Sequence, residues 1–202
     1  MCSFAVACFC LFSLVLATPA SGAEEWEVYQ ARLKREAIVL FSSVLADRDS
    51  KFNRCELSTE WLDYAVPSSI AREALRTTVH ADLSAPHHAT DPREVLDPSG
   101  AVKDRFCDKE TYERWRKSLA DRLSTEPSID TSHATIEYSF PIFDQDFRTA
   151  VFVRSSFYGW FYKKPEGPVR PRMESATWAE VYRKIRGKWR QQKQIFLAAG
   201  HG

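Results

Sequence analysis

Residues 138–160 read YSFPIFDQDFRTAVFVRSSFYGW, a run of aromatic and β-branched residues interrupted once by the polar segment DQDFR. Residues of these types suit a pleated, half-buried strand. A polar break between two such runs is where a chain reverses. The stretch therefore predicts a β-hairpin with Asp144, Gln145 and Asp146 in its turn. Asp-x-Asp is also a fragment of a hard-cation site, but the further Asp, the Gly and the distal Glu of a calcium loop are missing here.

Working outward, HATIEYSFPIF from residue 133, RTAVFVRSSFYGWFY from 148, SATWAEVYRKI from 175 and KWRQQKQIFL from 188 predict four strands. Arg186-Gly187 predicts a tight hairpin between the last two, with Gly supplying positive φ. KKPEGPVRPRME (163–174), carrying three prolines and one glycine, reads as a loop.

Upstream the periodicity is helical. Trp26, Tyr29, Leu33, Ala37, Leu40 and Val44 recur at steps of three and four. Pro67-Ser68-Ser69 introduces a second helical run, with Ile70, Ala74 and Val79 on its buried side. Residues 81–106, rich in Pro, His and Asp, read as a long surface loop. Asp108 then predicts an N-cap for a helix striped by Tyr112, Trp115, Leu119 and Leu123, with Glu110–Arg114 and Glu113–Lys117 pairs outside. Helices first and antiparallel strands afterwards predict an α+β fold: N-terminal helices (24–126) packed on a C-terminal antiparallel sheet of about four strands (134–198), one domain over 24–202.

The first 23 residues, MCSFAVACFCLFSLVLATPASGA, carry no charge, and their apolar run has the length of a signal-peptide core rather than a membrane span. Small residues at 20–23 place the expected cleavage after Ala23. The usual basic residue before the apolar core is absent, so an uncleaved anchor stands as the alternative, and Cys8 after Ala-Val-Ala is a faint lipid-attachment match. Removing residues 1–23 leaves Cys55 and Cys107 as the only cysteines of the mature chain, an expected disulfide in a periplasmic or secreted protein. A cysteine nucleophile is the competing reading, but neither cysteine sits in a nucleophile signature.

With 44% hydrophobic and 27% charged residues the chain is globular rather than disordered, and a net charge of +1 offers no case for nucleic acid. The charge is uneven, net +6 over residues 131–202 and −5 over 1–130. That polarity suits either attraction within one fold or a basic sheet face meeting an anionic surface. No serine-hydrolase elbow, zincin, phosphate-loop or dinucleotide pattern occurs, so no catalytic residue and no cofactor are assigned. His80, His87 and His88 with Asp82 and Asp91, and His133 from afar, are the densest metal-like set, yet adjacent histidines in a loop lack zinc-ligand spacing and no metal is assigned. Glu137 and Arg154 are candidates for a site assembled from neighbouring strands, and a cross-strand ion pair explains them equally well.

The candidate binding residues are Tyr158, Trp160 and Tyr162, with Arg170 and Arg172 beyond them. An aromatic run of this density (Phe157 to Tyr162) cannot bury both faces of one strand unless a loop, a second subunit or a ligand covers the other face.

Tyr138-Ser139-Phe140-Pro141-Ile142-Phe143, Ala150, Tyr158-Gly159 and Gly187-Lys188-Trp189 resemble an uncharacterised family of bacterial exported proteins and lipoproteins. In that family a Ser-x-Pro-Ile-Phe strand, an Ala-centred strand, a glycine-containing segment and a terminal Gly-Lys-Trp hairpin follow N-terminal helices. The resemblance spans residues 134–197, with Val66-Pro67 and its helix a fainter match. Where the family carries cysteines and more glycine, this chain has FYGWF (157–161), so no family disulfide or ligand carries over at that segment. The expectation is an exported, non-catalytic binding domain whose partner is an envelope protein or an anionic glycan or lipid surface. The alternative is a small exported hydrolase with a dispersed site.

Overall fold

The computed structural model describes residues 22–46, 54–76, 90–100, 105–127, 129–163 and 167–201. The expected leader up to residue 21, together with Val79, His80, Asp82, His87 and His88, lies outside the described residues.

In chain order the elements are α1 (Gly22–Ala46), β1 (Leu57–Ser58), α2 (Ser68–Leu75), α3 (Pro92–Leu96), β2 (Phe106–Cys107) and α4 (Lys109–Thr125). Five strands follow: β3 (His133–Tyr138), β4 (Ile142–Phe143), β5 (Thr149–Lys163), β6 (Val169–Ile185) and β7 (Lys188–His201). The fold is α+β, as the order of periodicities predicts. The sheet departs from four antiparallel strands: seven described strands form a mixed sheet in the order β2-β1-β3-β5-β6-β7, with β4 also paired to β5. β1 runs parallel to both β2 and β3.

Two-residue strands have no periodicity to read, and tertiary ties hold this pair in place. A Cys55–Cys107 disulfide, with Cα atoms 4.8 Å apart, joins their ends. Beside it Arg105 donates to Glu56 at 3.2 Å, both side chains only 8% exposed. Ile136 N–H donates to the Glu56 carbonyl at 2.6 Å, stitching β1 to β3. Burial depresses the Arg105 guanidinium from its ordinary value against the pull of Glu56, the expected sign for a desolvated cation.

The β3–β4 break follows from proline. Pro141 has no N–H for the ladder, and Ser139 bridges the gap: its N–H donates to the Val153 carbonyl and its Oγ accepts from Val153 N–H, each at 2.8 Å. The DQDF segment is a turn. Asp144 Oδ1 accepts from the Arg148 and Thr149 N–H groups at 2.7 and 3.0 Å, while Phe147 adopts φ 56° and tucks inside. At the last hairpin Arg186 and Gly187 both have positive φ (50° and 78°), the requirement of a two-residue type I′ turn.

Predicted loop 163–174 is shorter than its prolines imply. β6 begins at Val169, and Pro171 lies within it, opposite Phe161. Predicted loop 81–106 likewise holds α3, whose N-cap Asp91 accepts from Arg93 N–H at 2.8 Å, and β2. α2 stops at Leu75 on a left-handed Arg76, and buries Ala71 and Leu75 with Ile70 and Ala74 partly buried beside them.

Because successive strand residues face opposite ways, β5 feeds two cores. Ala150 and Phe152 meet α1 through Ala37, Leu40 and Phe41, joined by Tyr138, Tyr182 and Trp189. Val151 and Val153 meet α2 and Val66 on the other face. Phe41 makes ring contacts at 5.1 and 5.2 Å with Tyr138 and Phe152. The first part of the α1 stripe is exposed, Trp26 at 54% and Tyr29 at 45%, since there it reaches only the β4–β5 turn, through Tyr29 and Phe147. Edge strand β7 carries Lys188, Arg190 and Lys193 and two register shifts against β6, devices that blunt edge-to-edge pairing.

Candidate functional site

Directly opposed residues of an antiparallel pair share a face. β5 and β6 oppose Tyr158 with Glu174, Trp160 with Arg172 and Tyr162 with Arg170. The five predicted binding residues therefore share one face of the sheet. Arg170 and Arg172 belong to a strand rather than to the loop expected from the sequence, and this is what sets them against the aromatic side chains. Toward the middle of the same face come Arg154 opposite Trp178 and, one strand further, Phe196 opposite Trp178.

α1 covers the other end of this face, over Ala150 and Phe152. Over the aromatic end no described helix or strand packs, and Tyr158, Tyr162 and Phe196 are 49%, 37% and 60% exposed. The reverse side of the same strand end is closed by α4. There Phe161 stacks on His133 at 5.9 Å, and His133 meets Trp115 and Tyr112 edge-on at 5.5 and 6.2 Å. The aromatic run thus divides by parity: Phe157 and Phe161 face α4, whereas Tyr158, Trp160 and Tyr162 face outward.

Guanidinium groups order the open face. Arg172 lies 5.2 Å from the Trp160 ring centroid and 3.6 Å from Glu174, and Trp160 contacts Tyr158 at 5.5 Å. Arg154 lies 4.3 Å over Trp178 and donates to Glu180, with their side chains 12% and 2% exposed, and to Ser156 Oγ at 2.7 Å. Trp178 in turn meets Phe196 edge-on at 6.4 Å. Cation–π contacts of this kind tie each ring to a neighbouring guanidinium. Arg170 makes no ion pair or hydrogen bond among the described residues.

The expected Glu137–Arg154 pair does not form. Glu137 opposes Ser155 and Tyr138 opposes Arg154, so the two charges lie on opposite faces, and Arg154 takes Glu180. Trp178, Phe196 and Glu180 were missed from sequence; their signal is the parity of β6, which becomes readable only once its register with β5 is known. His133, weighed from sequence as a distant member of the metal-like set, is buried. Its Nδ1–H donates to the Thr131 carbonyl at 3.1 Å and its Nε2 faces Gly159. Burial holds its imidazole below the ordinary value, with nearby Arg116 acting in the same sense. Among the described residues no group of three or more His, Cys, Asp or Glu is placed to hold a metal. No protein-family profile, curated protein or solved structure matches the chain.

Proposed function

We propose that this protein is an exported, non-catalytic binding domain that captures an acidic glycan on the open aromatic and arginine face of its sheet. The observation that carries the reading is the alignment of Tyr158, Trp160 and Tyr162 beside Arg170 and Arg172 on a strand end whose reverse side is already covered by α4. Residues two apart on a strand recur every ~7 Å along the backbone, so the three rings form an open row suited to an extended chain rather than to a small ligand in a deep hole. Arg170 supplies the positive charge left over after Arg172 meets Glu174 and Arg154 meets Glu180. That charge selects for carboxylate or sulfate groups on the chain.

Export is part of the same proposal. The Cys55–Cys107 disulfide suits an oxidising compartment, the uncharged segment 1–23 suits a leader, and the resemblance over residues 134–197 points to bacterial exported proteins. Intact mass of the protein recovered from its host checks this arm: a chain beginning at Glu24 and two hydrogens light is expected, and a retained leader with free thiols overturns it.

Binding is checked by calorimetry against acidic and neutral oligosaccharides, beside sedimentation with anionic vesicles. Wild type is expected to bind the acidic oligosaccharides, and a Trp160→Ala, Tyr162→Ala double variant to stay folded and lose the interaction. Sedimentation with vesicles in the absence of oligosaccharide binding would move the proposal to a lipid surface, and unfolding of the double variant would return both rings to the core.

A further inference from the structure

On the opposite face of the sheet, a cleft of ≈310 Å³ opens between α4 and the β1–β3 strands, beside the disulfide. Tyr112 from α4 and Phe157 and Met173 from the sheet supply its apolar lining, and Glu60, Glu113 and Glu137 line it beside Lys109 and Arg116. Its volume sits at the lower end of small-molecule sites, about 300 Å³ and upward. Glu113 is engaged by Arg116 at 3.3 Å. Glu137 is different: its half-buried carboxylate has no hydrogen bond or ion pair among the described residues. The groups around it are Glu60 from the turn after β1 and Lys109, Glu113 and Arg116 from α4. Of the two cations, Arg116 is committed to Glu113 and stacks between Tyr112 and Phe161, 5.6 and 5.8 Å from their centroids. Lys109 makes no ion pair with Glu137.

A carboxylate taken partly out of water without a partner destabilises the fold that holds it. A purely structural role is therefore a poor account of Glu137. We propose that this cleft binds the cationic head of a small organic amine or guanidine, with the Glu137 carboxylate as counter-ion and the Tyr112 and Phe157 rings as its apolar lining. Glu60 at the rim repels anions and adds to the attraction for a cation, and an aromatic wall stabilises a desolvated ammonium or guanidinium further. Burial first, then the Glu60 charge, push the Glu137 carboxyl above its ordinary value. A bound cation reverses that displacement. The site lies on the other face from the glycan platform and is independent of it.

The test is a two-dimensional NMR titration of the oxidised full chain at pH 7 with n-butylammonium chloride and with methylguanidinium chloride, using 1-butanol as the uncharged isostere. Saturable shifts confined to residues around the cleft are expected with the cations and not with the alcohol. Glu137→Gln should weaken binding by about tenfold or more, the loss expected for one charge-assisted hydrogen bond. In wild type the Glu137 side-chain carboxyl, followed by its carbon shift, should titrate at lower pH when the cation is present. An equal response to 1-butanol, no saturable shift, an unchanged affinity in Glu137→Gln, or an unmoved carboxyl titration would each overturn the proposal.

Discussion

Gly159 and His133 are cross-strand partners packed so closely that a Cβ on Gly159 would stand 2.5 Å from His133 Nε2. The glycine sits in the middle of a strand, where it weakens β structure, and the imidazole occupies the place a side chain would take. With Phe161, Trp115 and Tyr112 around the ring, the pair locks α4 onto β3 and β5.

Gly159→Ala is expected to destabilise the protein by about 1–3 kcal/mol, the usual penalty for overpacking. Adding His133→Ala should restore part of that loss, because the two residues share one space. Urea midpoints of wild type, both singles and the double variant give the coupling; strictly additive effects would show that the clash is relieved elsewhere.

His133 also makes stability depend on pH. Its folded-state imidazole titrates below its ordinary value of 6.5, chiefly through burial. As pH falls below 6.5 the unfolded chain takes up the proton first, so stability falls from there down toward the depressed folded value. Thermal melts from pH 7.5 to 5 are expected to show this decline, and His133→Gln should remove that component while lowering stability at pH 7.5.

Glu137 has the opposite sign. Its folded-state carboxyl titrates above the ordinary value of 4.5, so its contribution is present below pH 4.5 and is lost as pH rises through the folded value. Glu137→Gln is therefore expected to raise the melting temperature at pH 7 and to leave it nearly unchanged at pH 4. A variant less stable than wild type at pH 7 would mean that the carboxylate holds a structural partner.

Reducing the Cys55–Cys107 bridge, which spans a sequence separation of 52 residues, should lower stability by about 4 kcal/mol on the chain-entropy account. The Arg105–Glu56 pair is expected to keep β1 beside β2 in the reduced native state. Hydrogen exchange at Leu57 and Ile136 before and after reduction measures this directly; global loss of protection would assign the whole parallel edge to the disulfide.

Elements with many like-patterned residues were legible from sequence alone. The α4 stripe buries Leu119 and Leu123 with the Asp108 cap in place, accepting from Thr111 N–H at 2.7 Å. Its outer Glu110–Arg114 pair forms at 3.3 Å, while Glu113 turns to Arg116 in place of Lys117. The Arg186-Gly187 turn was equally readable, because positive φ at two successive residues permits few alternatives. The start of β6 was not. Pro171 reads as a breaker, yet a strand accepts proline where its missing N–H leaves no ladder bond unmade.

By itself, then, the amino-acid order determined whatever depends on neighbours along the chain: helical stripes, caps and the chemistry of the 144–147 and 186–187 turns. Only the tertiary structure decided what depends on partners far away. It recruited Leu57–Ser58 and Phe106–Cys107 into a parallel edge, matched Arg154 with Glu180 rather than Glu137, and divided FYGWFY between a face covered by α4 and a face left open. The physical reason is the two-residue period of a strand. A shift of one position in register exchanges every side chain between faces, and register is settled by packing across the whole sheet rather than by any single stretch of it.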